Sequence, residues 1–290
     1  MAPTAANSAK QTSKAVLSEA KHKAAAPWVK WLERLGFITR GVLYVVIGVL
    51  ALQLAAGAGG GTTSPTSAIA VIGRQPFGKI FLIVIAIGLV GYALWGVVRA
   101  VLDPLGRGSD AKGLFDRAGF LFSGLSYALL LVPTLAAIMS KPSTSAAGGS
   151  AVPAGLASGP GGKWLVVAFG ILWLAMGAGQ LASAYSAHFL RDLKTGEMSA
   201  NELKTATWLG KSGYAARGVV FGIIGLLILQ AGLAGGSTQS KGFDAALAAL
   251  AHAPYGLVLL GLVALGLVLF GAYSIMCAKW TRIGAVARKK

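Results

Sequence analysis

Charge is scarce in this chain: only 12% of its 290 residues are charged, about half the share carried by a soluble domain. That leaves too few charges to cover a water-facing surface. Acids are the rarer sign, with nine Asp and Glu against 26 Lys and Arg, and none falls inside the long apolar blocks described below. A proton relay or cation pathway usually needs an acid at depth. One cysteine (Cys277) and three scattered histidines (His22, His188, His252) exclude a disulfide framework and leave no metal-ligand spacing. No phosphate loop, zinc motif or nucleophile elbow occurs, so no cofactor and no metal is expected. An enzyme is the least supported class.

Apolar residues make up 55% of the chain, and the mean hydropathy is +0.69. They fall in six blocks, at residues 35–56, 77–98, 118–139, 164–187, 214–234 and 255–278. Each is about 20 residues, the length that crosses a hydrocarbon core of roughly 30 Å. The fold class expected is all-α, a polytopic membrane protein with six transmembrane helices. The N-terminal segment is basic and has no apolar run before Pro27, so it reads as a solvated tail and not a cleaved signal peptide.

The net charge of +17 does not point to nucleic acid, because the basic residues flank the apolar blocks and form no single stripe. Seven Lys and Arg precede the first block or open it, four lie in 99–117, five in 191–217 and five in 279–290. The opposite side holds only Arg74, Lys79, Lys141, Lys163 and Lys241. The bias recurs at every loop, and the positive-inside rule then places both termini in the cytoplasm.

The blocks also repeat. Residues 36–44 (GFITRGVLY), 119–127 (GFLFSGLSY) and 213–221 (GYAARGVVF) align without gaps at offsets of 83 and 177. The even-numbered blocks align at 84 and 178, pairing Pro76-Phe77-Gly78 with Pro254-Tyr255-Gly256, and Gly88-Leu89-Val90 with Gly266-Leu267-Val268. Self-similarity of this kind marks a repeat architecture. Each unit has two spans, so all three enter the membrane from the same side, and a pseudo-threefold bundle is the simplest closed arrangement. The divisions expected are a disordered tail at 1–27, units at 28–106, 107–196 and 197–282, and a basic tail at 283–290.

Each unit also carries a lead-in. Trp28, Trp31, Leu32 and Leu35 recur at helical spacing, which suits a helix lying in the cytoplasmic interface. Leu114-Phe115 and Trp208-Leu209 hold similar places. On the outer side a short helix is expected over 66–72, and another capped by Asp244 and running to Leu250. The middle unit has a Gly/Pro/Ser-rich loop at 142–162 instead, which reads as flexible.

Several residues invite a role. Gly41, Gly48 and Ala55 are spaced by seven, as are Gly218, Gly225 and Gly232, so each set lies on one helix face and permits close packing in lipid. Pro133 is placed to kink the third span. Arg40 and Arg217 are equivalent by repeat, with Ser123 in the middle unit. Three readings stand for them: snorkelling to the interface, pairing with an acid such as Glu33 or Asp116, or, together with Arg99, binding anionic lipid head groups. Gln53 and Gln230 are placed for interhelical hydrogen bonds or for lining a pathway, and Tyr44 and Tyr127 for packing with their hydroxyls satisfied between helices.

At the repeated Gly-[Phe/Tyr]-x-x-Arg-Gly-x-x-[Tyr/Phe] and Pro-[Phe/Tyr]-Gly-x9-Gly-Leu-Val patterns, the chain resembles an uncharacterised bacterial family, domain of unknown function 1206, from about Trp28 to Arg282. The resemblance implies three tandem two-helix units in the bacterial cytoplasmic membrane, and no activity. Ser123 departs from the pattern and puts exact threefold equivalence in doubt. The functional expectation is a non-enzymatic structural or partner-binding membrane component; the alternative is a transporter or channel for a small solute along the axis. The lipid bilayer, anionic lipid, a membrane-protein partner or a second copy are the partners expected, and nucleic acid is not.

Overall fold

Long runs of Leu, Val, Ile, Ala and Gly satisfy their backbone groups internally only as helix or closed barrel once water is removed, and these runs lack the alternation of barrel strands. The computed structural model describes residues 27–57, 64–103, 107–139, 162–234 and 243–281, and these are helical almost throughout. The helices are α1 (Pro27–Ala55), α2 (Pro65–Gly73), α3 (Gly78–Leu102), α4 (Ala111–Leu129), α5 (Leu131–Ile138), α6 (Gly162–Ser186), α7 (Ala200–Ala234), α8 (Phe243–Ala251) and α9 (Gly256–Trp280). Short 3-10 turns at His188–Asp192 and Thr195–Glu197 join α6 to α7. Six stretches are long and apolar enough to cross a membrane: Glu33–Ala55, Gly78–Leu102, Gly113–Ile138, Gly162–Ser186, Ala200–Ala234 and Gly256–Trp280, spans 1 to 6. This is a multi-pass membrane protein.

Three local expectations need correcting. The lead-ins are not separate interfacial helices. Residues 27–34 form the first two turns of α1, and Leu114-Phe115 and Trp208-Leu209 lie inside α4 and α7, because no proline or run of turn residues interrupts the helix there. Asp244 is not a cap, since α8 already begins at Phe243. And acids do lie within the spans: Glu33 opens span 1 and is 1% exposed, Asp116 falls in the first turn of span 3, and Glu202 in the first turn of span 5. The tail expected at 1–27 lies outside the described residues except for Pro27, which opens α1 as a first-turn proline can. The tail at 283–290 and the loop at 142–161 also lie outside them.

The short helix expected over 66–72 is present as α2, and the third span is interrupted near Pro133. Ser64 caps α2 by accepting from Ser67 N at 3.2 Å. The third span breaks at Leu130, just ahead of Pro133, whose ring removes a helix donor and crowds the preceding turn. Thr134 bridges the break, donating from Oγ1 to the Leu130 carbonyl at 2.7 Å. The Pro-[Phe/Tyr]-Gly motif is a hinge between a short helix and a span. Phe77 and Tyr255 both take left-handed backbone, at φ 62° and 56°. The glycines after them donate to Gln75 and Ala253 carbonyls at 2.8 Å, and a Cβ on Gly78 or Gly256 would strike the carbonyls ending α2 or α8.

The most extensive helix pairs are α6 with α7 and α1 with α9, followed by α7 with α9, α3 with α4 and α1 with α3. Among these, α1–α9, α6–α7 and α3–α4 share one kind of contact. A Cβ on Gly41 would lie 2.7 Å from the Gly271 carbonyl, one on Gly124 2.9 Å from that of Ala93, and one on Gly218 3.1 Å from that of Gly177. Backbones this close allow only glycine at the crossing. The seven-spaced stripes do this work: Gly48 faces Ala264 on α9, and Gly225 and Gly232 face Leu174 and Val166 on α6. Spans 3 and 4 meet edge to face through Phe122 and Trp173, with ring centres 5.8 Å apart.

Candidate functional site

The repeated nonapeptide sets the site's local geometry. Its aromatic residues stand three before and four after the arginine, so all three share one helix face. On α1 these are Phe37, Arg40 and Tyr44; on α7, Tyr214, Arg217 and Phe221. The faces turn inward. Arg40 is 6% exposed and Arg217 8%, with the Phe270 ring of α9 between them.

The Arg40 guanidinium carbon sits 4.8 Å from the Phe37 ring centre, 5.0 Å from Tyr92 and 5.1 Å from Phe270. It donates through Nε to Ser274 Oγ at 2.7 Å and through Nη1 to the Tyr92 hydroxyl at 2.5 Å. Ser274 passes its own hydrogen to the Phe37 carbonyl at 2.9 Å. Arg217 lies 4.4 Å from Phe270, 4.9 Å from Phe221 and 5.3 Å from Tyr44, and its Nε has no hydrogen-bond partner. A desolvated cation over an aromatic face gains about 2 kcal/mol.

Arg99, near the end of α3, completes the group at 7% exposure. It stacks 4.5 Å from Phe120 and 5.7 Å from Tyr92. Arg99 and Ser123 also reach the Tyr92 phenol, while Arg99 Nε and Nη2 are left without partners. Glu33 lies near Arg99, yet neither carboxyl oxygen has a hydrogen-bond partner. Arg107, itself outside the spans, pairs with Asp192 and, at 3.6 Å, with Asp116 at the start of span 3, and its Nη1 lies 3.2 Å from His188 Nε2. Burial pushes the Asp192 carboxyl up against the pull of Arg107. The Lys194 N–H donates to the Trp280 carbonyl at 2.9 Å, tying the 188–197 connection to the end of α9.

Between these elements lies a cavity of about 30 Å³, lined by Arg40, Arg99, Asp192, Tyr214, Tyr273 and Cys277, with Phe37, Leu193 and Thr281 closing it. That volume holds one or two waters. No group of three His, Cys, Asp or Glu able to hold a metal occurs among the described residues.

The structure brings together Arg40, Arg99, Arg217, Ser123, Tyr44 and Tyr127. Tyr44 packs on Phe270 with centres 4.8 Å apart, and Tyr127 on Tyr92 at 4.6 Å. Gln53 and Gln230 are apart from this group, exposed near the far ends of α1 and α7. Arg40 and Arg217 pair with neither Glu33 nor Asp116; their partners are rings and, for Arg40, hydroxyls. Sequence reasoning missed Tyr92, Phe270, Ser274 and the Arg107–Asp192 pair. The spacing of aromatic residues around each arginine is the signal that marks a stacked, inward-facing cation.

Comparison with known proteins gives no solved structure that matches. The Bacillus subtilis (strain 168) protein described as "Uncharacterized protein YxxB" is 32% identical over 252 residues, covering 86% of this chain and 90% of the relative. The family model described as Domain of Unknown Function (DUF1206) matches residues 35–103 and 212–281, two stretches that each carry an arginine of the cluster between its flanking rings. The chain belongs to the DUF1206 family.

Proposed function

We propose that the protein is a non-enzymatic, partner-binding component of the bacterial cytoplasmic membrane, with both termini cytoplasmic and three parallel two-helix units around a pseudo-threefold axis. The filled interior carries this reading. Ile47 and Ala51 on α1, Ile224 and Ile228 on α7, and Leu260 and Phe270 on α9 are all fully buried, and the arginines below them are covered by rings. A solute pathway needs a continuous polar lining, which this packing opposes. The recurring glycine contacts between consecutive units support the threefold arrangement, and the basic residues gathered at one end support the orientation.

The surface for a partner is the face of spans 3 and 4, the two least buried within the bundle at 28% and 22% of their apolar windows. Burial of Arg40, Arg99 and Arg217 favours an internal role over contact with lipid head groups.

Two measurements test this. Proteoliposomes of the purified protein should show the ion conductance and small-solute swelling rates of empty vesicles; solute-selective flux would instead establish the transport reading. A photo-crosslinking residue at Leu125, which is 58% exposed on α4, should give discrete protein adducts in native membranes. Lipid adducts alone at that position would remove the partner-binding claim.

A further inference from the structure

We propose that the cavity between Arg40 and Arg99 is a binding site for a small inorganic anion of halide size. Charge is the first ground. Four arginines converge at this end of the bundle, Arg40, Arg99, Arg107 and Arg217, against three acids, Glu33, Asp116 and Asp192. Arg107 engages both aspartates, and Glu33 lies near Arg99 with neither carboxyl oxygen hydrogen-bonded. Among the described residues, neither Arg40 nor Arg217 has a carboxylate at ion-pair distance. A buried cation answered only by neutral dipoles is costly, and an anion is the species that offsets it.

Donor geometry is the second. Arg99 is more than nine-tenths buried and lines the cavity, and its Nε and Nη2 hydrogens have no acceptor. Two unanswered N–H groups beside a void are an acceptor's place. Arg40 lines the same void with the phenol of Tyr92 fixed between the two guanidiniums. The Asp192 carboxylate also lines it, but Arg107 binds that carboxylate.

Size is the third. About 30 Å³ holds one or two waters, room for an ion of halide size. The Trp95 ring, 5.8 Å from the Arg99 guanidinium, stands beside the site and can report on it.

The test uses the full-length protein in nanodiscs of zwitterionic lipid. Sodium chloride titrated against sodium gluconate at constant ionic strength should raise the unfolding midpoint by several degrees and saturate, with bromide acting alike. Arg99→Gln should abolish that rise. Arg217→Gln should unfold earlier yet keep it, since Arg217 is not part of the cavity lining. Should Arg99→Gln fail to fold, iodide quenching decides: the wild type should show a saturable component that Trp95→Phe lacks. Equal midpoints in chloride and gluconate, or purely linear quenching, would overturn the proposal. So would stabilisation that appears only with phosphatidylglycerol at fixed gluconate, which would give the arginines to a lipid phosphate.

Discussion

Spans 3 and 4 and the four spans flanking them in sequence solve the same packing problem with different residues. Spans 1, 2, 5 and 6 bury 56%, 44%, 50% and 50% of their apolar windows inside the bundle, against 28% and 22% for spans 3 and 4. The family model matches residues 35–103 and 212–281, and not the stretch between them, where Ser123 stands at the position that aligns with Arg40 and Arg217. The cation and its ring went together. Tyr92 and Phe270 are related by the offset of 178, and the corresponding residue on α6 is Met176. The position on α6 equivalent to those two rings is therefore not aromatic. Ser123 instead hydrogen-bonds the Tyr92 hydroxyl, which also accepts from Arg40. The difference teaches that the arginines follow the rings they stack on, and not the membrane interface.

Three measurements can break or sharpen this contrast, taken from the largest expected effect. Gly41→Leu or Gly218→Leu should cost about 3 kcal/mol or more, because the added side chain meets the carbonyl of Gly271 or Gly177. Thermal unfolding in detergent reads this directly; a stable Gly41→Leu variant would mean that the α1–α9 pair can part. Arg217→Met should cost about 2–3 kcal/mol through lost stacking, with Ser123→Ala below about 1 kcal/mol. Equal losses at both positions would erase the distinction between the units. Smallest is Gly119→Ala in the middle unit, paired with Gly222→Ala in an outer one. A methyl added at either position would meet no atom within 4 Å, so both should be neutral or gain up to about 1 kcal/mol from helix propensity.

The six spanning helices were legible in sequence for a simple reason. Span length and the spacing of small residues are one-dimensional signals, and lipid leaves few ways to satisfy a backbone. The site was half legible. The repeat singled out Arg40 and Arg217, and the nonapeptide placed rings on their face, but whether that face turns to lipid or to a neighbour depends on which helices pair. That pairing is set by carbonyl-to-glycine contacts such as Gly41 with Gly271, formed between residues far apart in the chain. The inward turn of Glu33 was illegible for a related reason: α1 continues without a break through the supposed interface segment, carrying the acid in beneath Arg99. Gln53 and Gln230 mislead because equivalence by repeat fixes a position and says nothing of its surroundings.

The pairing of α1 with α9 carries a consequence for biogenesis. Insertion proceeds from the N-terminus, so the glycine face of the first span enters the bilayer before its partner has been synthesised. It must wait through four further crossings, exposed to lipid or to a chaperone, until span 6 arrives. Closure of the bundle is therefore a late, all-or-none event, with a high contact order that local hairpins cannot relieve. A nascent chain stalled before Gly256 would hold five inserted helices with α1 docked on α3, its small-residue stripe still facing lipid.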